Sequence, residues 1–109
     1  MSKPVWFKTH DINTSEYQEV TLLDYTEMKE VVNRNGRSSL VYSFDESNAS
    51  NAKIKIVGIR TGAKSLRDLK DYKYLGVVSF HDRPETWVFY YQATIVGPSS
   101  QLQFSSVFK

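Results

Sequence analysis

The sequence predicts an α+β domain: a curved, mainly antiparallel sheet of about six or seven strands, one helix at about 25–35 and a short second helix at about 65–73. Two strongly β-prone runs within Leu75–Val96 flank the polar break HDRPET, the layout of an antiparallel hairpin. A stretch from Asp24 to Gly36 combines capping residues, an apolar stripe and a glycine stop, the pattern of an amphipathic helix. Short turns join the strands of the C-terminal third, which favours a meander over parallel crossovers.

Taken in order, Pro4 to Thr9 contains Val5, Trp6 and Phe7, and the leading proline suits the start of an edge strand. His10 to Ser15 is a polar break. Glu16 to Leu23 alternates, with Gln18, Val20 and Leu22 on one face and Tyr17, Glu19, Thr21 and Leu23 on the other.

For the helix, Asp24 and Glu27 form a capping box, and Leu23 and Met28 stand at hydrophobic-staple positions. Tyr25, Met28 and Val32, with Val31 beside them, trace its apolar stripe, and Asn35-Gly36 ends it.

Ser38 to Asp45 places Leu40, Tyr42 and Phe44 on one face of a half-buried strand, and Glu46 to Ala52 reads as an exposed loop. Lys53 to Arg60 alternates at Ile54 and Ile56, then shifts phase, which predicts a bulge at Gly58. Ser65 to Asp68 offers a second capping box, and Leu66 and Leu69 begin the thin stripe of the short helix. In the second strand of the hairpin, Trp87, Phe89, Tyr91, Ala93 and Ile95 share an apolar face opposite Val88, Tyr90, Gln92, Thr94 and Val96. Gly97 to Ser100 is a turn, and Gln101 to Phe108 is a last strand with Leu102, Phe104 and Phe108 on one side.

At 109 residues the chain is one domain, large enough to bury a core without staples. It has no cysteine, which removes disulfides, thiolate metal sites and cysteine nucleophiles and fits a reducing compartment. The first residues contain no apolar signal core, and no run of apolar residues is long enough to span a bilayer, so a cytoplasmic protein without membrane contact is expected.

Charge is uneven. Residues 1–50 carry five Lys and Arg against eight Asp and Glu, a net of −3, while residues 51–109 carry nine against four, a net of +5. The excess is concentrated in Lys53, Lys55, Arg60, Lys64, Arg67, Lys70 and Lys73, with only Asp68 and Asp71 among them. With Tyr72, Tyr74 and Tyr90 nearby, this segment is the expected binding surface of a small non-catalytic module, a regulator or inhibitor engaging an acidic protein face. The same residues would suit single-stranded nucleic acid through phosphate pairing and ring stacking, although no RNA-binding signature is present. The plainer alternative is a solvated face partly neutralised by Asp68 and Asp71. A homodimer through an edge strand is a further option.

Catalysis has thinner support. His81, Glu85 and Arg83, with His10, supply the acid, base and cation of a small metal-independent ribonuclease, yet both histidines fall in polar segments where solvated imidazoles are common. His10, Asp11, His81 and Asp82 have ligand chemistry but no metal-binding spacing, so no metal is expected. Phosphate-loop and nucleophile-elbow motifs are missing, and no cofactor is predicted.

Overall fold

The chain folds into seven β-strands and, among the described residues, no helix. The computed structural model describes residues 5–65 and 67–98. Its strands are β1 (Trp6–Ile12), β2 (Tyr17–Tyr25), β3 (Glu27–Arg34), β4 (Arg37–Phe44), β5 (Ser50–Arg60), β6 (Lys73–Ser79) and β7 (Thr86–Pro98). They form two antiparallel sheets: sheet A in the order β1-β4-β3 and sheet B in the order β2-β5-β7-β6. The α+β expectation is therefore corrected to an all-β domain.

The segment 25–35 is a strand and a hairpin turn, and the cause of its helical appearance is visible in the register. Tyr25, Met28 and Val31 are all buried, at spacings of three. A plain strand returns to the same face every second residue. Here Met28 lies opposite Tyr42 and Val31 opposite Leu40, with a register shift between Met28 and Glu30 that accommodates one extra residue. Between Tyr25 and Met28 the chain leaves sheet B for sheet A, turning a corner at Asp24 (φ 56°). Two irregularities thus convert a period of two into an apparent period of three. Asp24 caps nothing helical; its carboxylate receives the Lys8 ammonium at 3.5 Å. Asn35 and Gly36, both at positive φ (54° and 81°), form the two-residue turn that joins β3 to β4.

The second predicted helix is also absent among the described residues. The described residues between β5 and β6, 61–65 and 67–72, are irregular, with side chains that hydrogen-bond to the nearby backbone: Arg67 N–H donates to Ser65 Oγ (3.2 Å), and Lys70 N–H to Asp68 Oδ1 (3.0 Å). Leu66, the first residue of its predicted stripe, lies outside the described residues. So does the predicted strand Gln101–Phe108. The expected bulge at Gly58 is not there, since Gly58 pairs directly with Phe89 and the register shift falls between Asn51 and Ala52. Strand β7 continues through Gly97 to Pro98, where a turn was expected.

The sheets pack face to face. Leu40 and Tyr42 of sheet A and Leu22, Ile54, Ile56 and Phe89 of sheet B meet in one buried cluster, closed by Met28, Val31, Leu75 and Val78. Their alternation along each strand is what commits these residues to the interior. Edge strands β3 and β6 lie against each other: Asn33 Nδ2 donates to Ser79 O at 2.9 Å, and a Cβ on Gly76 would stand 3.0 Å from Val31 Cγ1. Trp87 and Phe89 belong to the core as expected, but Ala93 and Ile95, on the same face of β7, are exposed. Strand β6 reaches β7 only as far as Tyr91, so among the described residues the far half of β7 pairs with β5 alone.

Candidate functional site

The outer face of sheet B can be read row by row from its register. Tyr17, Val57, Tyr90 and Tyr74 lie side by side across β2, β5, β7 and β6. The next row is Glu19, Lys55 and Gln92, and the one beyond it Thr21, Lys53 and Thr94. Neighbouring strands are about 4.8 Å apart and alternate residues about 6.7 Å, so three rings and two ammonium groups share one small surface. Lys53 is exposed and Lys55 half-buried, on the side opposite the buried Ile54 and Ile56. Their positions follow directly from the strand alternation.

Residues 61–72 fold across one end of this face. Val57 is only 2% exposed beneath them, and the Arg67 guanidinium stacks on the Tyr17 ring with Cζ 3.7 Å from the centroid. Tyr17 donates its hydroxyl to Glu19 Oε1 at 2.9 Å; partial burial raises the phenol pKa, and the Glu19 carboxylate raises it further. Tyr74 and Tyr90 meet edge to face with centroids 5.9 Å apart, and Tyr74 is 60% exposed. Tyr72 is half-buried, its backbone N–H donating to Leu69 O at 3.0 Å.

Where β2 begins and β5 ends, a cleft of about 590 Å3 opens. Val57 and Ile59 line it from the outer face of β5 and Trp87 from the core side, with Ala63, Arg60, Lys64 and Arg67 around them and Glu16 and Tyr17 beside. Gly58 is required there by close approach, because a Cβ would lie 2.4 Å from Ser15 O and about 3 Å from the Phe89 and Trp87 rings.

Lys53, Lys55, Arg60, Lys64 and Arg67 are thus gathered on one face and the cleft beside it. Lys70 is exposed in the 61–72 connection. Lys73 stands opposite Tyr91 and so points to the other side of β6 from Tyr74. The decisive feature is electrostatic. Among the described residues the ion pairs are Lys8–Asp24 (3.5 Å), Lys29–Glu27 (3.3 Å), Arg37–Asp11 (3.9 Å) and Arg83–Glu85 (3.1 Å). None of the seven cations from Lys53 to Lys73 is in one. Asp68, expected to neutralise the segment, turns its carboxylate to the Lys70 backbone N–H instead.

The ribonuclease set is differently arranged. Arg83 places its guanidinium over the Phe80 ring, 4.0 Å from the centroid, and holds Glu85 at Nε, off the hydrogen-bond direction. His81 shares a shallow depression with Asn33, Asn35, Gly36 and Asp82 at the β3–β4 turn. His10 is on β1, opposite Leu40, and is not part of that depression. Among the described residues no three His, Asp or Glu side chains gather as metal ligands.

Tyr17, Glu16 and the cleft are the parts of this surface that the sequence reading did not single out. The signal for Tyr17 was present, as an aromatic ring on the polar face of an alternating strand. The cleft itself depends on how 61–67 folds back and has no signature in the sequence.

No protein-family model, no curated protein and no solved structure matches the chain.

Proposed function

We propose that this domain is a small non-catalytic binding module, a cytoplasmic regulator or inhibitor that engages a protein partner bearing an acidic face. The observation that carries the reading is the contrast in ion pairing: among the described residues four cations elsewhere hold carboxylates, while the seven between Lys53 and Lys73 hold none. Unpaired like charges repel one another, and an acidic surface relieves that repulsion while speeding encounter.

Nucleic acid is the second reading, favoured by the row of Tyr17, Tyr90 and Tyr74 beside Lys55. Two features weigh towards protein. Glu16 and Glu19 stand among the cations, where a continuous line of phosphates would meet them. Tyr17 is already covered by Arg67, and Tyr90 meets Tyr74 edge-on, so few open ring faces remain for bases.

Capture from native lysate by the wild-type chain, and by a Lys53→Glu/Lys55→Glu/Arg67→Glu chain, separates these readings. The acidic-partner reading expects a captured protein that survives nuclease treatment, weakens as salt rises and is lost with the triple substitution. Equal capture by the substituted chain would remove the basic face from the function. Loss on nuclease treatment would transfer the surface to nucleic acid.

A further inference from the structure

The cleft at the end of β5 is a stretch of sheet edge. Strand β2 begins at Tyr17, opposite Val57, whereas β5 runs on through Gly58, Ile59 and Arg60 with β7 as its paired neighbour. Ahead of Tyr17 the chain turns off this edge. Glu16 O still accepts the Gly58 N–H at 3.1 Å, but Ser15 O lies on the core side of Gly58, in the space a Cβ would take. Residues of both faces of sheet B therefore line the cleft, Ile59 from one and Arg60 and Trp87 from the other. The N–H and C=O of one strand residue point to the same side, and those of the next residue to the opposite side. The bond from Gly58 to Glu16 thus turns Gly58 C=O and Arg60 N–H towards the cleft, while Ile59 turns to β7. Arg60 C=O is taken by the Ala63 N–H at 2.9 Å, but Gly58 C=O and Arg60 N–H have no hydrogen-bond partner among the described residues.

From this edge we infer that the cleft takes an extended acidic segment of the partner as a short added strand running parallel to β5. The inference rests on the acidic-partner reading and names the form of its ligand. In a parallel pair the residue opposite Ile59 donates its N–H to Gly58 O and accepts the Arg60 N–H, so one docked residue satisfies both groups. An antiparallel strand would need the place beside Gly58 that Glu16 fills. Side chains of the docked strand alternate between the two faces, and cations stand on both. Arg60, in phase with Ile54 and Ile56, is on the core side, and Lys64 and Arg67 belong to the connection that crosses the outer face. Successive carboxylates of the segment would each meet opposite charge. Arg67 keeps its stack on Tyr17, since a carboxylate approaches the edge of a guanidinium and not its face. None of the three cations is in an ion pair among the described residues. A nucleic-acid strand has no peptide N–H to offer this edge.

The test uses the whole chain at low salt and three fluorescein-labelled probes: a heptapeptide of alternating Glu and Asp, the same peptide N-methylated at its central residues, and a dT heptamer. The methylated peptide keeps every charge but cannot donate to Gly58 O. The unmodified peptide should bind about tenfold more tightly than the methylated one. At saturation it should also slow hydrogen exchange of the Arg60 amide, read by NMR, by about tenfold, an effect the methylated peptide should lack. In an Arg60→Gln/Lys64→Gln chain, whose substituted side chains are exposed, affinity for the unmodified peptide should fall about tenfold. Equal binding of the two peptides, or an unchanged Arg60 amide, overturns the added strand while the acidic-partner reading stands. Unchanged affinity in the substituted chain moves the acidic ligand away from the cleft and overturns it too. Binding of neither peptide overturns both readings, and preference for the dT heptamer assigns the surface to nucleic acid.

Discussion

On sheet A, Lys8, Lys29 and Arg37 each face a carboxylate within 3.9 Å, and Arg34 spans β4 to donate to Thr9 Oγ1 at 2.8 Å. On sheet B and the connection that covers it, none of Lys53, Lys55, Arg60, Lys64, Arg67, Lys70 and Lys73 forms an ion pair among the described residues, although Glu19 lies opposite Lys55 in the register. Both sheets also expose large apolar side chains, Trp6 and Phe7 on sheet A and Val77, Ile95 and Val96 on sheet B, so exposed apolar area does not separate them. The difference is in what the charges do: on sheet A they tie strands and corners together, and on sheet B they are left for something else. Charge arranged without internal partners contributes little to folding and mainly shapes encounter with other molecules.

Gly58→Ala should break the sheet B side most severely. The new methyl group would meet backbone, Ser15 O, at 2.4 Å, which no rotamer change relieves. Overpacking of this kind costs on the order of 3 kcal/mol in urea denaturation. A cost below about 1 kcal/mol would mean that the β1–β2 connection moves easily off the sheet, and a mobile wall would not make a preformed cleft.

Much of this contrast was legible beforehand, and the failures have a common origin. Strands β4 and β7 follow from simple alternation because their own residues run in step where the core residues sit, whereas β6 reads as a strand from composition although its register shifts at the buried Leu75. The stretch from Asp24 to Arg34 was misread because a corner and a bulge each add a residue, giving Tyr25, Met28 and Val31 the spacing of a helix. The decisive counter-signal was Asn35-Gly36, which reads equally as a helix stop and as a hairpin turn; two positive φ values select the turn. For the site, the clustering of cations was plain in the sequence. Their lack of partners was not, because Asp68 and Asp71 lie among them in the chain and only the fold shows that these carboxylates do not pair with them.

Tyrosine ionisation offers the next sharpening. Burial is the main cause that raises the Tyr25 and Tyr42 phenols above the ordinary value of 10.0; Asp24 adds to it at Tyr42. A group whose folded pKa is raised contributes stability that is complete below the unfolded pKa. As pH climbs past 10, the unfolded chain releases this proton and the folded chain retains it, so stability falls. The slope from one such group is at most about 1.4 kcal/mol per pH unit. Tyr42 has no hydrogen-bond partner for its hydroxyl among the described residues, so Tyr42→Phe should cost little at pH 7 and flatten the alkaline decline. Tyr17→Phe, on the half-exposed face of sheet B, should flatten it less. The reverse order, read from urea midpoints between pH 8 and 11, would place the tighter packing on the wrong sheet.

The smallest effects test the comparison most directly. Lys8 is half-exposed, with its ammonium at Asp24 and 4.8 Å from the Phe44 ring centroid. Lys8→Ala should therefore lose about 0.5–1 kcal/mol, the upper part of the range for surface ion pairs, and the loss should shrink in high salt. Lys53→Ala and Lys64→Ala should behave differently. With no carboxylate to release and several like charges nearby, each should be neutral or slightly stabilising at low salt, by a few tenths of a kcal/mol. Adding salt should stabilise the wild-type chain by screening the same repulsion, and should erase the small gain from either substitution. If Lys53→Ala or Lys64→Ala lost as much as Lys8→Ala, its ammonium would be holding the fold together, and the division between tying and unclaimed charge would fail at that residue. If both were neutral while capture of the acidic partner fell, charge that folding does not use would be the charge that recognition does.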